Sequence, residues 1–201
     1  MRSLFAFIAR KMYPSRYKVL QEQLAAVYAT LTPHELNGAY RMLEEILILG
    51  EDRRFYRHIG FDIRAICRAV VSKILFNRNE GASTIEQQLV RVSLNEYERT
   101  LKRKVREILL ATTLRDIIPR KNIPLVYLVV AYYGTGMEGL HQALARFNII
   151  DGSGMTPAQA IEIIARIKFP ESSVPNARKS FLLEKRKRRL TDLFNRHQSR
   201  T

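Results

Sequence analysis

Three capping boxes, each opening an apolar run at helical spacing, leave this chain few folds outside the helical classes. Thr32-Pro33-His34-Glu35 sets a proline at the first helical position, and Leu36, Tyr40, Leu43, Ile46 and Leu47 follow on one face. Ser83-Thr84-Ile85-Glu86 repeats the device, with Ser83 as the expected N-cap and Glu86 as its partner. Thr156-Pro157-Ala158-Gln159 does so again. Residues 17–30, 61–77, 100–118, 121–133 and 178–196 also carry helical periodicity, with breaks at Asn77 to Gly81, Pro119, Gly134 to Gly136 and Asp151 to Gly154. No stretch of useful length alternates apolar and polar residues. With 201 residues, 46% of them hydrophobic, the expectation is a mostly α single domain with a sizeable core.

The charge balance points to an anionic partner. Thirty-four basic residues face 19 acidic ones, a net charge of +15. Much of the excess lies near the C-terminus, where Arg178, Lys179, Lys185, Arg186, Lys187, Arg188, Arg189, Arg196 and Arg200 face Glu184 and Asp192. Nucleic acid, lipid headgroups and a phosphorylated substrate all fit charge alone. The single cysteine, Cys67, excludes an intrachain disulfide, and Ile66 and Ala69 beside it predict a small core residue. The apolar run Leu4 to Ala9 is six residues long, short of a secretory core and far short of a membrane span. Phe61 to Phe76 is the one strongly basic amphipathic stretch: Ile63, Ile66, Val70, Ile74 and Leu75 form a stripe beside Arg64, Arg68 and Lys73. That pattern suits a membrane interface or an ordinary core helix, and periodicity does not separate the two.

Four segments carry the chemistry. EDRRFYRHIG, Glu51 to Gly60, sets an acid straight after an apolar helical stripe. A carboxylate set against apolar packing is a better proton acceptor than one in water, which suits a general base. GASTIEQQLVR, Gly81 to Arg91, follows, with Gln87 and Arg91 one turn apart. RTLKRKVREILLATTL, Arg99 to Leu114, spaces Arg99, Arg103 and Glu107 four residues apart, which on a helix makes one face of two guanidiniums and a carboxylate. Guanidinium forks suit diphosphate oxygens, though an i,i+4 Arg–Glu pair on a solvated helix has the same spacing. KNIPLVYLVVAYYGTGMEGLHQAL, Lys121 to Leu144, is the fourth.

In this order the segments resemble the motifs of glycosyltransferase family 51, the peptidoglycan glycosyltransferase domain of penicillin-binding proteins and monofunctional transglycosylases. A weaker fifth, Met155 to Pro175, resembles the family's closing helix and proline pair. The resemblance implies a lysozyme-like helical domain over 51–189, after a helical lead-in at 1–50 and before a basic tail at 190–201. It favours the membrane reading of Phe61 to Phe76, as a small hydrophobic jaw facing the bilayer. It implies an inverting transfer that polymerises a polyprenyl-diphosphate-linked sugar, lipid II, into glycan strands. Glu51 matches the general base acting on the acceptor 4-hydroxyl, and Glu107 the glutamate at the donor diphosphate. Ser83, Thr84, Gln87, Gln88, Arg91, Arg99, Arg103 and Lys104 are the matching substrate-binding positions, and Asp52, Phe55 and His58 the support of the loop that presents Glu51. A divalent cation, magnesium or manganese, would bridge Glu107 and the diphosphate. The implied partners are the lipid-linked sugar, an anionic membrane surface and other cell-wall synthesis proteins, with no nucleic acid. The implied place is the outer or periplasmic face of the cytoplasmic membrane, where family members usually carry an N-terminal anchor.

The chain departs from the family pattern at Leu125, Val129 and Gln159, where a glutamate, an asparagine and a glutamate are usual, and at Glu86, where a neutral residue is usual. Two other readings stand beside the enzyme: a non-catalytic lipid-diphosphate-binding scaffold, and a basic helical nucleic-acid binder. The last has only charge behind it, with no reading motif and no aromatic interleaving in the tail.

Overall fold

A computed structural model describes residues 1–77, 81–174 and 176–200. The middle of the break expected at Asn77 to Gly81 and the Pro175 of the fifth segment lie outside the described residues. In chain order the helices are α1 Arg2–Met12, α2 Pro14–Thr30, α3 Arg41–Glu51, α4 Ile63–Phe76 and α5 Ile85–Ser93. They continue with α6 Leu101–Ala111, α7 Ile123–Val130, α8 Leu140–Arg146, α9 Pro157–Lys168 and α10 Ala177–Gln198. One antiparallel pair, β1 Tyr132–Gly134 and β2 Met137–Glu138, is the sheet among the described residues. The chain is mostly α, as its periodicity predicts, and the strands are too short to register as alternation.

The chain divides into two compact units, one of Met1–Thr30 with Glu51–Tyr127, the other of Leu31–Gly50 with Leu128–Thr201. In the first, α1 packs on α2 and α6, α2 on α5, and α5 on α6. Ala6 and Ala9 are the fully buried residues of α1, and their size allows close approach to its neighbours. Arg2 and Arg10 pair with Asp116 at 2.7 and 3.1 Å. Leu20, Leu24, Ile85, Leu89, Leu110 and Leu114 supply the core. The helix expected over 100–118 stops at Ala111. The Thr112 and Thr113 hydroxyls donate to the Leu109 and Leu110 carbonyls, each at 2.7 Å, so side chains compete for the groups that helix continuation needs.

The Ser83–Glu86 box forms differently from its expectation. Thr84 is the N-cap of α5: its Oγ1 accepts from Gln87 N–H and donates to the Gly60 carbonyl. Glu86 is no capping partner, because its side chain is fully buried behind the Asp52–Gly60 loop. Cys67 corrects a second expectation, since it is exposed. The reason is the orientation of α4, whose one buried residue is Ser72. Ile74, Leu75 and Phe76 are 74, 68 and 64% exposed, and Ile63, Val70 and Val71 join them on the surface. The apolar stripe therefore faces out, which removes the core-helix reading.

In the second unit α9 packs on α10 and β1, and α8 on β2. The Thr156–Gln159 box forms as expected, with Gln159 N–H donating to Thr156 Oγ1 and Thr156 N–H to Gln159 Oε1. Gln159 thereby does what a glutamate would do there, which accounts for that departure. Leu125, in the first unit, is fully buried among apolar residues. The Thr32–Glu35 box also forms, but its helix does not run on: Gly38, at φ +102°, breaks it before α3 begins at Arg41. Glu35 also meets His141 across the unit at 3.0 Å.

Gly60 sits where the Asp52–Gly60 loop meets the end of α6. Its φ is +118°, and a Cβ there would lie 2.7 Å from the Ala111 carbonyl oxygen and 2.9 Å from the Thr112 nitrogen. Backbone atoms cannot swing aside, so Gly60→Ala should lower the melting temperature by roughly 5 °C or more, measured by thermal denaturation.

Candidate active site

Glu51 ends α3 half-buried, as expected for an acid following a packed helix. Gln88 Nε2 donates to its carboxylate at 3.2 Å, and the Tyr127 hydroxyl donates to Gln88 Oε1 at 2.8 Å. Burial, helped by the charge of Glu51, pushes the Tyr127 phenol well above its usual value, so it stays a donor. Tyr127 thus fixes the Gln88 amide with its N–H toward Glu51. Tyr127 lies outside the expected site residues, although it stands in the fourth segment, Lys121 to Leu144.

The loop after Glu51 is built on a buried carboxylate. Asp52 accepts from His58 Nε2–H at 2.9 Å and from the Ile85 N–H at 3.2 Å, the first turn of α5. Gly60 N–H donates to His58 Nδ1 at 3.2 Å, which places the imidazole proton on Nε2. Phe55 is fully buried, and the Arg120 guanidinium lies 5.4 Å from its ring centre. Arg120 also donates to the Phe55 and His58 carbonyls, and Arg115 to that of His58.

One turn along α5 from Gln88, Arg91 donates to both oxygens of Glu107, at 3.0 and 3.1 Å. Arg103 and Lys104 reach the same carboxylate from α6. Lys104 Nζ donates in addition to Gln87 Oε1 at 2.7 Å and Ser83 Oγ at 2.9 Å, and Arg91 to Ser83 Oγ at 3.4 Å. Ser83, freed from capping, is a member of this cluster. Burial pushes the Glu107 carboxyl up, but the hydrogen bonds and charges of Arg91 and Lys104 outweigh it and hold the group below its usual value. Burial lowers the Lys104 ammonium, with Arg91 and Arg103 adding to the effect and Glu107 opposing it. Three cations against one carboxylate leave the cluster net positive beside a buried Gln87 Nε2 that has no hydrogen-bond partner among the described residues.

Of the expected substrate-binding residues two stand apart: Thr84, buried with its hydroxyl spent on the α5 cap and the Gly60 carbonyl, and Arg99. Thr100 is the N-cap of α6, so Arg99 precedes the helix and the four-residue spacing to Arg103 does not place it on a helical face. It is exposed and makes no hydrogen bond or ion pair among the described residues. The pair Arg103–Glu107 is not a solvated i,i+4 bridge either, because Glu107 is 3% exposed and shared with two further cations. These arginines turn inward to a carboxylate, unlike an outward stripe for nucleic acid phosphates.

The arrangement joins a half-buried acid and a net-positive cluster caged around Glu107 along one helix. A family profile described as Transglycosylase matches residues 18–194. Penicillin-binding protein 1A of Rickettsia typhi is 31% identical over 182 residues, 85% of this chain and 23% of its own length. Penicillin-binding protein 1F of Bacillus subtilis is 29% identical over 156 residues, 77% of this chain and 22% of its own. Penicillin-binding protein 2a of Streptococcus pneumoniae is 31% identical over 137 residues, 68% of this chain and 18% of its own. The chain thus spans about a fifth of the length of these relatives. It belongs to the transglycosylase family, glycosyltransferase family 51.

Removing the Glu107 charge leaves three cations in mutual repulsion. Because its folded value is lowered, Glu107 contributes stability that is present above the unfolded value of 4.5 and is lost as pH falls through the folded one. Glu107→Gln should therefore melt roughly 5 °C or more below wild type at neutral pH, and the gap should close as the medium is acidified below about pH 4. Thermal melts of both proteins across that range measure it.

Proposed function

We propose that this chain polymerises a polyprenyl-diphosphate-linked sugar, lipid II, into glycan strands by inverting transfer. The observation behind this reading is the single helix α5, which binds Glu51 through Gln88 and Glu107 through Arg91, three residues later on the same face. Glu51 takes the proton of the acceptor 4-hydroxyl as that oxygen attacks the donor anomeric carbon. The carbon–oxygen bond to the diphosphate breaks, and its electron pair leaves with the phosphate. Arg91, Arg103 and Lys104 meet the growing charge, and Ser83, Gln87 and Gln88 hold the substrate's polar groups, while the buried Thr84, its hydroxyl spent on the α5 cap and the Gly60 carbonyl, supports the loop instead. Glu107, kept ionised, carries no proton to give. It holds the three cations at one point until the diphosphate arrives.

Magnesium or manganese fits poorly at Glu107 itself. Both of its oxygens are taken by guanidinium and ammonium groups, which would repel a further cation. The proposed mechanism accordingly assigns the diphosphate charge to the protein's own cations.

The same reading sets the enzyme at a membrane, on the outer or periplasmic side of the cytoplasmic membrane where its substrate is used. Among the described residues no helix is long and apolar enough to cross one. The outward apolar stripe of α4, with Arg64, Arg68 and Lys73 beside it, fits an interfacial contact in which apolar burial and attraction to anionic headgroups add.

Two outcomes are expected. Glu51→Gln should lower polymerisation of lipid II, read as product on a gel, by about a hundredfold or more while leaving the melting temperature near wild type. Turnover above half of wild type at equal folded concentration would remove Glu51 from the role of base. In vesicle sedimentation the protein should favour anionic over zwitterionic lipid, less so as salt rises, and Ile74→Ser with Phe76→Ser should weaken binding about tenfold even at low salt. Equal binding to both lipids, or no effect of the pair, would refute the interfacial account.

A further inference from the structure

Glu86 is the residue that the proposed chemistry leaves unused. It is 0% exposed in the first turn of α5, at a position where the resembled family has a neutral residue, and neither oxygen makes a hydrogen bond of ordinary geometry among the described residues. The groups facing it are His58, whose Nδ1 is 3.9 Å from Oε1, Arg115 at 3.7 Å, and the nearby Asp52 and Arg120. By residue type Asp52, His58 and Glu86 would suit a divalent cation, their ligand atoms lying within 4.8 Å of one another. Both imidazole nitrogens are already engaged, however, and Arg115 and Arg120 supply positive charge. The cluster holds charge without a metal.

Those two arginines link Glu86 to the loop. Both donate to the His58 carbonyl, and Arg120 also to that of Phe55, so they clamp the loop that follows Glu51. Two guanidiniums converging on one carbonyl oxygen repel each other. Burial lowers the Arg115 value and the charge of Arg120 lowers it further, while Glu86 opposes both. Burial likewise lowers Arg120, with Glu86 the largest opposing influence. The Nε atoms of both arginines are buried without a hydrogen-bond partner among the described residues, so a carboxylate is the group that balances them.

We propose that Glu86 is a positioning residue, the counter-ion that keeps Arg115 and Arg120 on the Phe55 and His58 carbonyls and so holds the loop that presents Glu51. The proposal rests on the transferase reading above for its effect on rate, but not for its effect on the loop. Burial raises the Glu86 carboxyl from 4.5 to about 7, with Asp52 adding a smaller rise and His58, the residue's own amide and Arg115 opposing. The clamp is then fully charged only above neutral pH. Its stability sign is unusual: a carboxyl raised in the folded state costs nothing below pH 4.5, costs more as pH rises, and costs most above about pH 7.

Glu86→Gln keeps the shape and removes the charge, which separates positioning from structural support. At pH 8 the variant should melt above wild type yet turn over lipid II about tenfold more slowly, and the backbone amides of residues 52–60 should exchange hydrogen faster. The stability gain should vanish near pH 5, and the rise in wild-type rate through neutrality should be absent from the variant. Glu86→Asp, which retains a carboxylate, should restore part of that rise. Stability and turnover falling together would overturn the proposal, as would unchanged turnover with unchanged loop exchange. If wild type makes no polymer the transferase reading fails, and loop exchange in the two proteins still decides the role of Glu86.

Discussion

The bond from the Ile85 amide to the buried Asp52 carboxylate is the tie on which the site depends. It is made at the buried first turn of α5, where an acid is favoured by the N–H groups left without a helical partner and by the helix dipole. Through it the loop after α3 is fastened to α5, with His58 and Gly60 filling the other valences of the same network. Gln88 then falls beside Glu51 and Arg91 beside Glu107, because both lie on the helix that the tie has oriented. Thr84 closes the loop from the other side, with one hydroxyl serving both the helix cap and the Gly60 carbonyl.

Three acids stand in three different settings. Glu107 is surrounded by cations and held ionised. Glu86 is buried with its charge only loosely opposed, and its proton affinity is raised. Glu51 is half-buried and takes a hydrogen bond from the Gln88 amide. Neighbouring groups rather than residue type thus set the Glu107 and Glu86 carboxylates apart.

Departures from the family pattern sort by the same physics. Gln159 replaces an acid in a capping box, where an amide oxygen accepts the same backbone bonds. Leu125 is enclosed by the core of α7 and needs no polar partner there. Both changes sit in local settings that accept the new side chain.

Local order was legible from the sequence. Helix starts at Thr156 and Thr32, the end of α3 at Glu51, and the spacing of Arg103 to Glu107 all follow from contacts within a few residues, where propensity and capping decide. The motifs also hold most of the side chains that the fold gathers around Glu51 and Glu107. Tertiary packing decided the rest. Whether the stripe of α4 turns inward or outward cannot follow from periodicity, which has the same form either way, and so Cys67 was misplaced. Ser83 left its cap for Lys104, and Glu86 left its box for His58 and Arg115, because partners distant in sequence outcompeted the local bond. Arg99 fell outside its face because a helix beginning at Leu101 carries no spacing backward past its cap. Tyr127 reaches Gln88 across 39 positions of sequence, a distance that only the folded chain closes.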